Sequence, residues 1–363
     1  MKIMNLIQQI IYLSLITLCI YSSHSFAAYN ASLNQTGIKF YYFFDKSRHK
    51  KIEVEAWYPI AEKTHVELAK GIWKQANIAI DAPLNLQVAT VRNGKLPLIV
   101  LSHGYGGSPE SLSWLAVSLV KRGFIVVAPQ HQDLGPDASK PYMEHWQRAI
   151  DISFILRELQ HTEFAKYIDF SRVGMTGYSL GTSTGLWLAG TIALTYERTI
   201  NPGRQFVPEE EFPPLDSEVA DYLLKHTDFQ AAKKSYREAL IKSVFLIAPG
   251  YGWAFSAKQL SNVTIPVFLV AAEKDEMLYP ETNAYYLSKY LPNSAMKIIP
   301  NVGHFIFINE TLDPADKQLS EEEKNRIQNV THLGAFQYSA EERHKVQELV
   351  GNLAANFFLT TLK

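Results

Sequence analysis

The sequence predicts an α/β fold in which a mostly parallel, doubly wound sheet begins with an antiparallel hairpin. Three observations carry this. Short runs of apolar and β-branched residues recur along the chain, each bounded by turn residues. From residue 96 onward these runs are nearly continuous in apolar residues, the pattern of strands buried on both faces. Helical periods lie between them, and strand–helix alternation of this kind builds parallel crossover units.

The elements follow in order. KKIEVEAWYPI (50–60) alternates and reads as a strand with one face exposed, and the preceding GIKFYYFF (37–44) pairs with it as an antiparallel hairpin. The later strands are LPLIVLSHG (96–104), GFIVVAPQ (123–130), SRVGMTG (171–177), KSVFLIAPG (242–250), IPVFLVAAEKD (265–275) and AMKIIPNVG (295–303). Helices are expected at 108–123, where Ser-Pro-Glu reads as a start signal, at 145–160, after the serine motif near 180, and at 341–362. Two segments break the alternation. Residues 61–95 form a mixed stretch, and about 190–240 hold an acidic, proline-marked loop followed by the amphipathic run DYLLKHTDFQAAKKSYREAL. The second enters directly after the serine motif, which makes it a candidate cap over a site, against the plainer reading of a solvated surface insertion.

Composition narrows the function. The chain has 363 residues, 35 Lys+Arg and 36 Asp+Glu, so it lacks the basic surplus that a nucleic-acid binder uses to neutralise phosphates. Hydrophobic residues make up 47%, enough for a packed core and too many for wholesale disorder. At the N-terminus, Lys2, the apolar run Ile10 to Ile20 and Ser25-Phe26-Ala27 read as a secretory signal peptide over residues 1–27. The run is short for a membrane-spanning helix. The expected mature chain, 28–363, is a single domain with the cap-like insertion, secreted or periplasmic, without a stable membrane span. Cleavage removes Cys19, the one cysteine, and with it disulfides and cysteine chemistry. No HExxH, P-loop or G-x-G-x-x-G opens a helix, so no metal, nucleotide or other cofactor is expected.

The chemistry is carried by Gly177-Tyr178-Ser179-Leu180-Gly181, a G-x-S-x-G that follows a short apolar strand and opens a small-residue helix. A nucleophile elbow needs this setting, because the serine sits on a strained strand-to-helix turn and the flanking glycines let helix and strand approach. A serine hydroxyl also needs a base held by a third group. His304, in NVGHF, and Asp275, past IPVFLVAA, fall at strand ends in the order serine, acid, histidine. Glu273 competes for the acid role; Asp133 and Asp151 precede the serine. His103-Gly104-Tyr105-Gly106-Gly107 supplies a glycine-rich loop for an oxyanion hole, with the backbone N–H groups of Tyr105 and Leu180 as donors and His103 as a loop brace. Tyr178, Trp187, Tyr251 and Trp253, with Phe255, are candidates for lining the substrate pocket; ordinary core packing is the competing reading.

The block LPLIVLSHGYGGSPESLSWLAVSLVKRGFIVVAPQHQD, the elbow GYSLG, FLIAPGYGWAF, IPVFLVAAEKDEMLYP and NVGHFIF together resemble the platelet-activating-factor acetylhydrolase and predicted dienelactone hydrolase group of the α/β-hydrolase superfamily, over about residues 50–310. The resemblance implies an α/β-hydrolase fold and cofactor-free hydrolysis of a small-molecule or lipid ester by Ser179, His304 and Asp275. The chain departs from the group's pattern at three places, one of them the 190–240 insertion, which the group does not obviously match. Dienelactone hydrolases proper carry cysteine where this chain has Ser179, and the acetylhydrolases usually have histidine where it has Tyr178. A peptidase, thioesterase or acyltransferase on the same residues, and a catalytically silent binding protein on this fold, are the alternatives.

Overall fold

The first two runs pair as their alternation predicts: β1 (Gln35–Asp45) lies antiparallel to β2 (Lys50–Ile60), with Ile38 opposite Trp57. The structure is a computed structural model that describes residues 35–60, 78–87, 90–133, 143–194, 196, 200, 211, 217–309 and 338–363. The signal-peptide expectation for 1–27 therefore lies outside the described residues, as does part of the 190–240 insertion.

The remaining strands are β3 (Ile78–Ile80), β4 (Leu96–Ser102), β5 (Ile125–Pro129), β6 (Ile168–Tyr178), β7 (Ile241–Ile247), β8 (Val267–Ala272) and β9 (Ser294–Ile299). Among the described residues they form one sheet in the order β3-β1-β2-β5-β4-β6-β7-β8-β9. Only β2 runs against the rest. The chain moves outward from β4 to β5, then returns to the other side of β4 to lay down β6. That reversal opens a crevice beyond the carboxyl ends of β4 and β6, where ligands bind in open α/β sheets.

Helices cover both faces. α1 (Ser113–Val120) and α6 (Ala340–Thr361) lie on one face; α2 (Gln147–Leu159), α3 (Leu180–Leu188) and α5 (Ala284–Tyr290) lie on the other, and α4 (Ser217–His226) belongs to the insertion. Alternate residues of one strand serve the two cores: Leu98 and Val100 of β4 pack with α2 and α3, Ile99 and Leu101 with α1 and α6. This explains the unbroken apolar runs, since a strand covered on both sides has no face to give to polar residues. The long helix α6 starts at a capping box in which Ser339 and Glu342 satisfy each other's backbone amides.

The structure departs from the sequence reading at four places. β2 is interior, between β1 and β5, and from Val54 to Ile60 both of its faces are buried. β9 is an edge strand, and its middle residues are partly or fully exposed. The mixed stretch 61–95 contributes the short β3, parallel to β1. Ser108 makes no side-chain cap; Pro109–Leu112 form a 3-10 turn ahead of α1. Among the described residues no helix is long and apolar enough to cross a membrane.

Candidate active site

Every segment that the sequence singles out for chemistry leaves the sheet at the same edge. Ser179 follows β6, His103 follows β4, Asp275 follows β8 and His304 follows β9. Ser179 sits at φ 53° and ψ −119°, the sharp turn between β6 and α3. The turn closes because its neighbours lack side chains. A Cβ on Gly181 would lie 2.1 Å from the carbonyl oxygen of Ser102, and one on Gly177 would lie 2.3 Å from that of Gly181. The elbow is tied to the end of β7: the Ser179 amide donates to the Ile247 carbonyl at 3.0 Å, and Ser183 Oγ donates to the Gly250 carbonyl at 2.8 Å.

Ser179 Oγ lies 3.0 Å from His304 Nε2, and His304 Nδ1 lies 2.9 Å from Asp275 Oδ2. The other oxygen of Asp275 accepts from the amides of Met277 (3.1 Å) and Leu278 (2.7 Å). The carboxylate is thus an acceptor throughout, so His304 carries its proton on Nδ1 and presents Nε2 to the serine hydroxyl as a base. Asp275 and His304 are 5% and 4% exposed, which shields their hydrogen bond from water. Glu273 is occupied elsewhere, accepting from the Asn301 amide at 2.8 Å.

Of the two expected oxyanion donors, Leu180 adjoins Ser179 in the chain and Tyr105 follows Gly104, which packs beside that serine. Leu180 is the first residue of α3, where a helix leaves its amide without an intrahelical acceptor. Tyr105 belongs to the loop after β4; a Cβ on the preceding Gly104 would lie 3.5 Å from Ser179 Cβ. His103 braces that loop, as expected. It is fully buried, its Nδ1 donates to the Gly104 carbonyl at 2.7 Å, and its Nε2 accepts from the His131 amide at 3.0 Å. Burial and the nearby Arg148 hold the imidazole neutral.

The pocket candidates separate. Trp187 is fully buried against Tyr196 and Phe255, both also fully buried, so it is core and lines no pocket; Phe255 shares that role. Tyr178 is 4% exposed, with its ring 5.0 Å from that of His304 and its hydroxyl donating to the His304 carbonyl at 3.1 Å. It packs against the histidine as part of the core. Tyr251 and Trp253 are partly exposed at the end of β7. With His145 and the 55%-exposed ring of Tyr105 they make an aromatic wall, with Tyr105–His145, His145–Tyr251 and Tyr251–Trp253 centroids 6.0, 5.9 and 6.1 Å apart.

Sequence reasoning missed three residues here. His145 joins the aromatic wall. Glu211 of the insertion accepts from Asn283 Nδ2 at 2.6 Å and from Thr282, on the segment that follows Asp275. Arg148, 2% exposed, forms a two-point ion pair with Asp133 beneath the oxyanion loop. A signal for Arg148 was present: it shares a helical stripe with Ile152 and Ile155, and a charge inside an apolar stripe needs a buried partner.

A family model described as platelet-activating factor acetylhydrolase, isoform II, matches residues 26–151, which hold the oxyanion loop and Arg148 but stop before Ser179. That is a shorter stretch than the 50–310 of the sequence resemblance. The chain is 23% identical over 258 residues to 2-hydroxy-6-oxo-6-(2'-aminophenyl)hexa-2,4-dienoic acid hydrolase from Metapseudomonas resinovorans, covering 62% of this chain and 84% of that protein. Its structure resembles that of a ferulic acid esterase from Streptomyces cinnamoneus, with a TM-score of 0.56 at 18% identity over 92% of this chain and 91% of the other. The strand order, the serine on its tight turn after β6 and the likeness to the ferulic acid esterase agree, and the chain has the α/β-hydrolase fold.

Proposed function

We propose that the protein is an exported serine hydrolase of carboxylic esters, working through an acyl-enzyme. The observation that carries this reading is the hydrogen-bonded run Ser179–His304–Asp275, placed beside two backbone amides at the carboxyl edge of the sheet. Ser179 Oγ attacks the ester carbonyl and passes its proton to His304 Nε2. The oxyanion is held by the N–H groups of Leu180 and Tyr105. Collapse breaks the bond to the alcohol, which leaves with the proton from His304. Water then attacks the acyl group with His304 as base, the acid departs, and the proton returns to Ser179. Asp275 holds the imidazole tautomer. Export rests on the signal-peptide reading of residues 1–27, and the insertion acts as a cap anchored through Glu211.

Two ester classes compete for the site. The family description favours a short acyl chain on a lipid. The wall of Tyr105, His145, Tyr251 and Trp253 favours an ester bearing an aromatic ring, which stacks on such surfaces. Hydrolysis of p-nitrophenyl esters from acetyl to palmitoyl, beside methyl esters of hydroxycinnamic acids, separates them. Ser179→Ala is expected to lower kcat on the best ester by about 10⁴- to 10⁶-fold with unchanged circular dichroism. Equal turnover by wild type and Ser179→Ala would remove the assignment.

A further inference from the structure

The peptide group between Gly104 and Tyr105 carries one of the two oxyanion donors, and what fixes its direction can be traced. The described chain contains no cis peptide, so the Gly104 C=O and the Tyr105 N–H point opposite ways. The carbonyl is held by three donors: His103 Nδ1 at 2.7 Å, Arg148 Nη2 at 3.0 Å and the Gly107 amide at 3.3 Å. With the carbonyl anchored inward, the N–H is aimed outward, on a peptide that lies beside Ser179.

Arg148 is spent almost entirely on this loop. Its Nη1 donates to the His103 carbonyl at 2.6 Å, while Nε and Nη2 donate to Asp133 Oδ1 and Oδ2 at 2.8 and 2.5 Å. Asp133 Oδ2 in turn accepts from the Gly106 amide at 2.8 Å. One buried ion pair thus fixes the carbonyls of His103 and Gly104 and the amide of Gly106. The Gly106 and Gly107 amides are thus spent within this network, on Asp133 and Gly104, whereas no acceptor among the described residues meets the Tyr105 amide. Burial alone would raise the Asp133 carboxyl; the charge and hydrogen bonds of Arg148 outweigh it and hold it down at about 2. Asp133 therefore faces the Arg148 guanidinium as a carboxylate at neutral pH. Beneath it, His131 Nε2 lies 3.0 Å from Ser102 Oγ, its Nδ1 lies 3.5 Å from Asp151, and Asp151 is paired with Arg48 and Lys50 at 2.7 Å each. Ser102, His131 and Asp151 are at most 3% exposed, so this second serine–histidine–aspartate run is closed to substrate and supports the loop from within.

We propose that Arg148 and Asp133 are positioning residues that preset the Gly104–Tyr105 peptide, so that the Tyr105 N–H meets the oxyanion without reorganising. The inference rests on the ester-hydrolase reading. A donor already aimed at the developing charge acts on the transition state and adds little to ground-state binding. A pair that merely held the fold together would lower stability and leave the selectivity for tetrahedral species untouched.

The test compares wild type, Arg148→Lys and the double variant Arg148→Met/Asp133→Leu, which removes both charges and leaves neither buried alone. Each is measured for kcat and KM on p-nitrophenyl acetate, for affinity toward a trifluoromethyl ketone that adds to Ser179 as a tetrahedral adduct, and for its unfolding transition. Deleting an oxyanion donor outright costs about 10²- to 10³-fold in kcat, so a donor left unaimed is expected to cost about 10- to 100-fold. The double variant should show that loss in kcat with KM within about threefold, and should lose ketone affinity by the same factor. Arg148→Lys keeps the charge without the planar fork and should fall between; it carries the same test if the double variant does not fold. Wild-type turnover with an unimpaired folded variant, or a kcat loss without weaker ketone binding, would overturn this inference alone. A wild-type protein that neither cleaves esters nor binds the ketone would overturn the hydrolase reading and this inference with it.

Discussion

Ser179 adopts a backbone conformation that a residue with a Cβ disfavours, at φ 53° and ψ −119°. Strain of this kind costs about 1–3 kcal/mol and is held by its surroundings, here the bonds from the elbow to Ile247 and Gly250. Glycine would relieve the strain at an entropic cost of about 0.5–1 kcal/mol. Ser179→Gly is therefore expected to unfold in urea at higher concentration than Ser179→Ala, by about 1 kcal/mol in stability, although both lack the hydroxyl. Equal midpoints would mean that the turn stores no strain. That Ser179, His304 and Asp275 meet in one hydrogen-bonded run was legible because a nucleophile, a base and an acid each call for one residue type at one strand end in one order. Tyr178 and Trp187 were not, because an aromatic ring beside a motif serves core or pocket equally well until its burial is known. Asp133 reads from the sequence as a spare acid that precedes the serine, and the contacts it makes depend on Arg148, which stands 15 residues away on α2.

At the level of elements, the parallel strands β4 to β8 could be read directly because burial on both faces leaves no polar alternation. β9 carries a similar run, yet sits at the edge, and no local pattern states how many neighbours a strand will find. β2 misled in the opposite sense. Lys51, Glu53 and Glu55 suit an exposed face, but the strand lies between β1 and β5 with α1 packed against it, and only its first part reaches solvent. The junction between β4 and α3 is tight, and it bears on the site. A Cβ on Gly181 would meet the Ser102 carbonyl oxygen at 2.1 Å and carbon at 2.8 Å, both of them backbone atoms in a central strand. Gly181→Ala must therefore push α3 away from the sheet. The expected cost is about 3 kcal/mol, and because Leu180 moves with the helix, kcat should fall as well. Thermal unfolding and ester turnover of the same preparation check both; a variant with wild-type stability would show that the helix has slack that its contacts do not display.

Across the described residues, some buried carboxyls meet a cation and others do not. Asp133 and Asp151 are matched by cations, and their carboxyls lie below the ordinary range. Glu55, 5% exposed on β2, is not: burial, then the charge and hydrogen bond of Glu110, push its carboxyl up to about 10. The folded protein therefore binds this proton more tightly than the unfolded chain does. The stability it brings is complete below the ordinary value of 4.5 and is lost progressively as pH rises from there toward 10. Within that window the slope approaches about 1.4 kcal/mol per pH unit for one group. Asp133 works in the opposite sense, contributing above its unfolded value and losing that contribution only as pH falls toward 2. The two slopes do not overlap at neutral pH, so Glu55 alone of the pair governs the alkaline side. Glu55→Gln keeps the shape and removes the ionisation. Measured by thermal unfolding at pH 5.5 and 8.5, the wild type should lose stability at the higher pH, and the variant should lose markedly less. Parallel losses in the two proteins would place the alkaline sensitivity elsewhere and show that the sheet lets Glu55 ionise by admitting water, in which case β2 is less closed than its burial states.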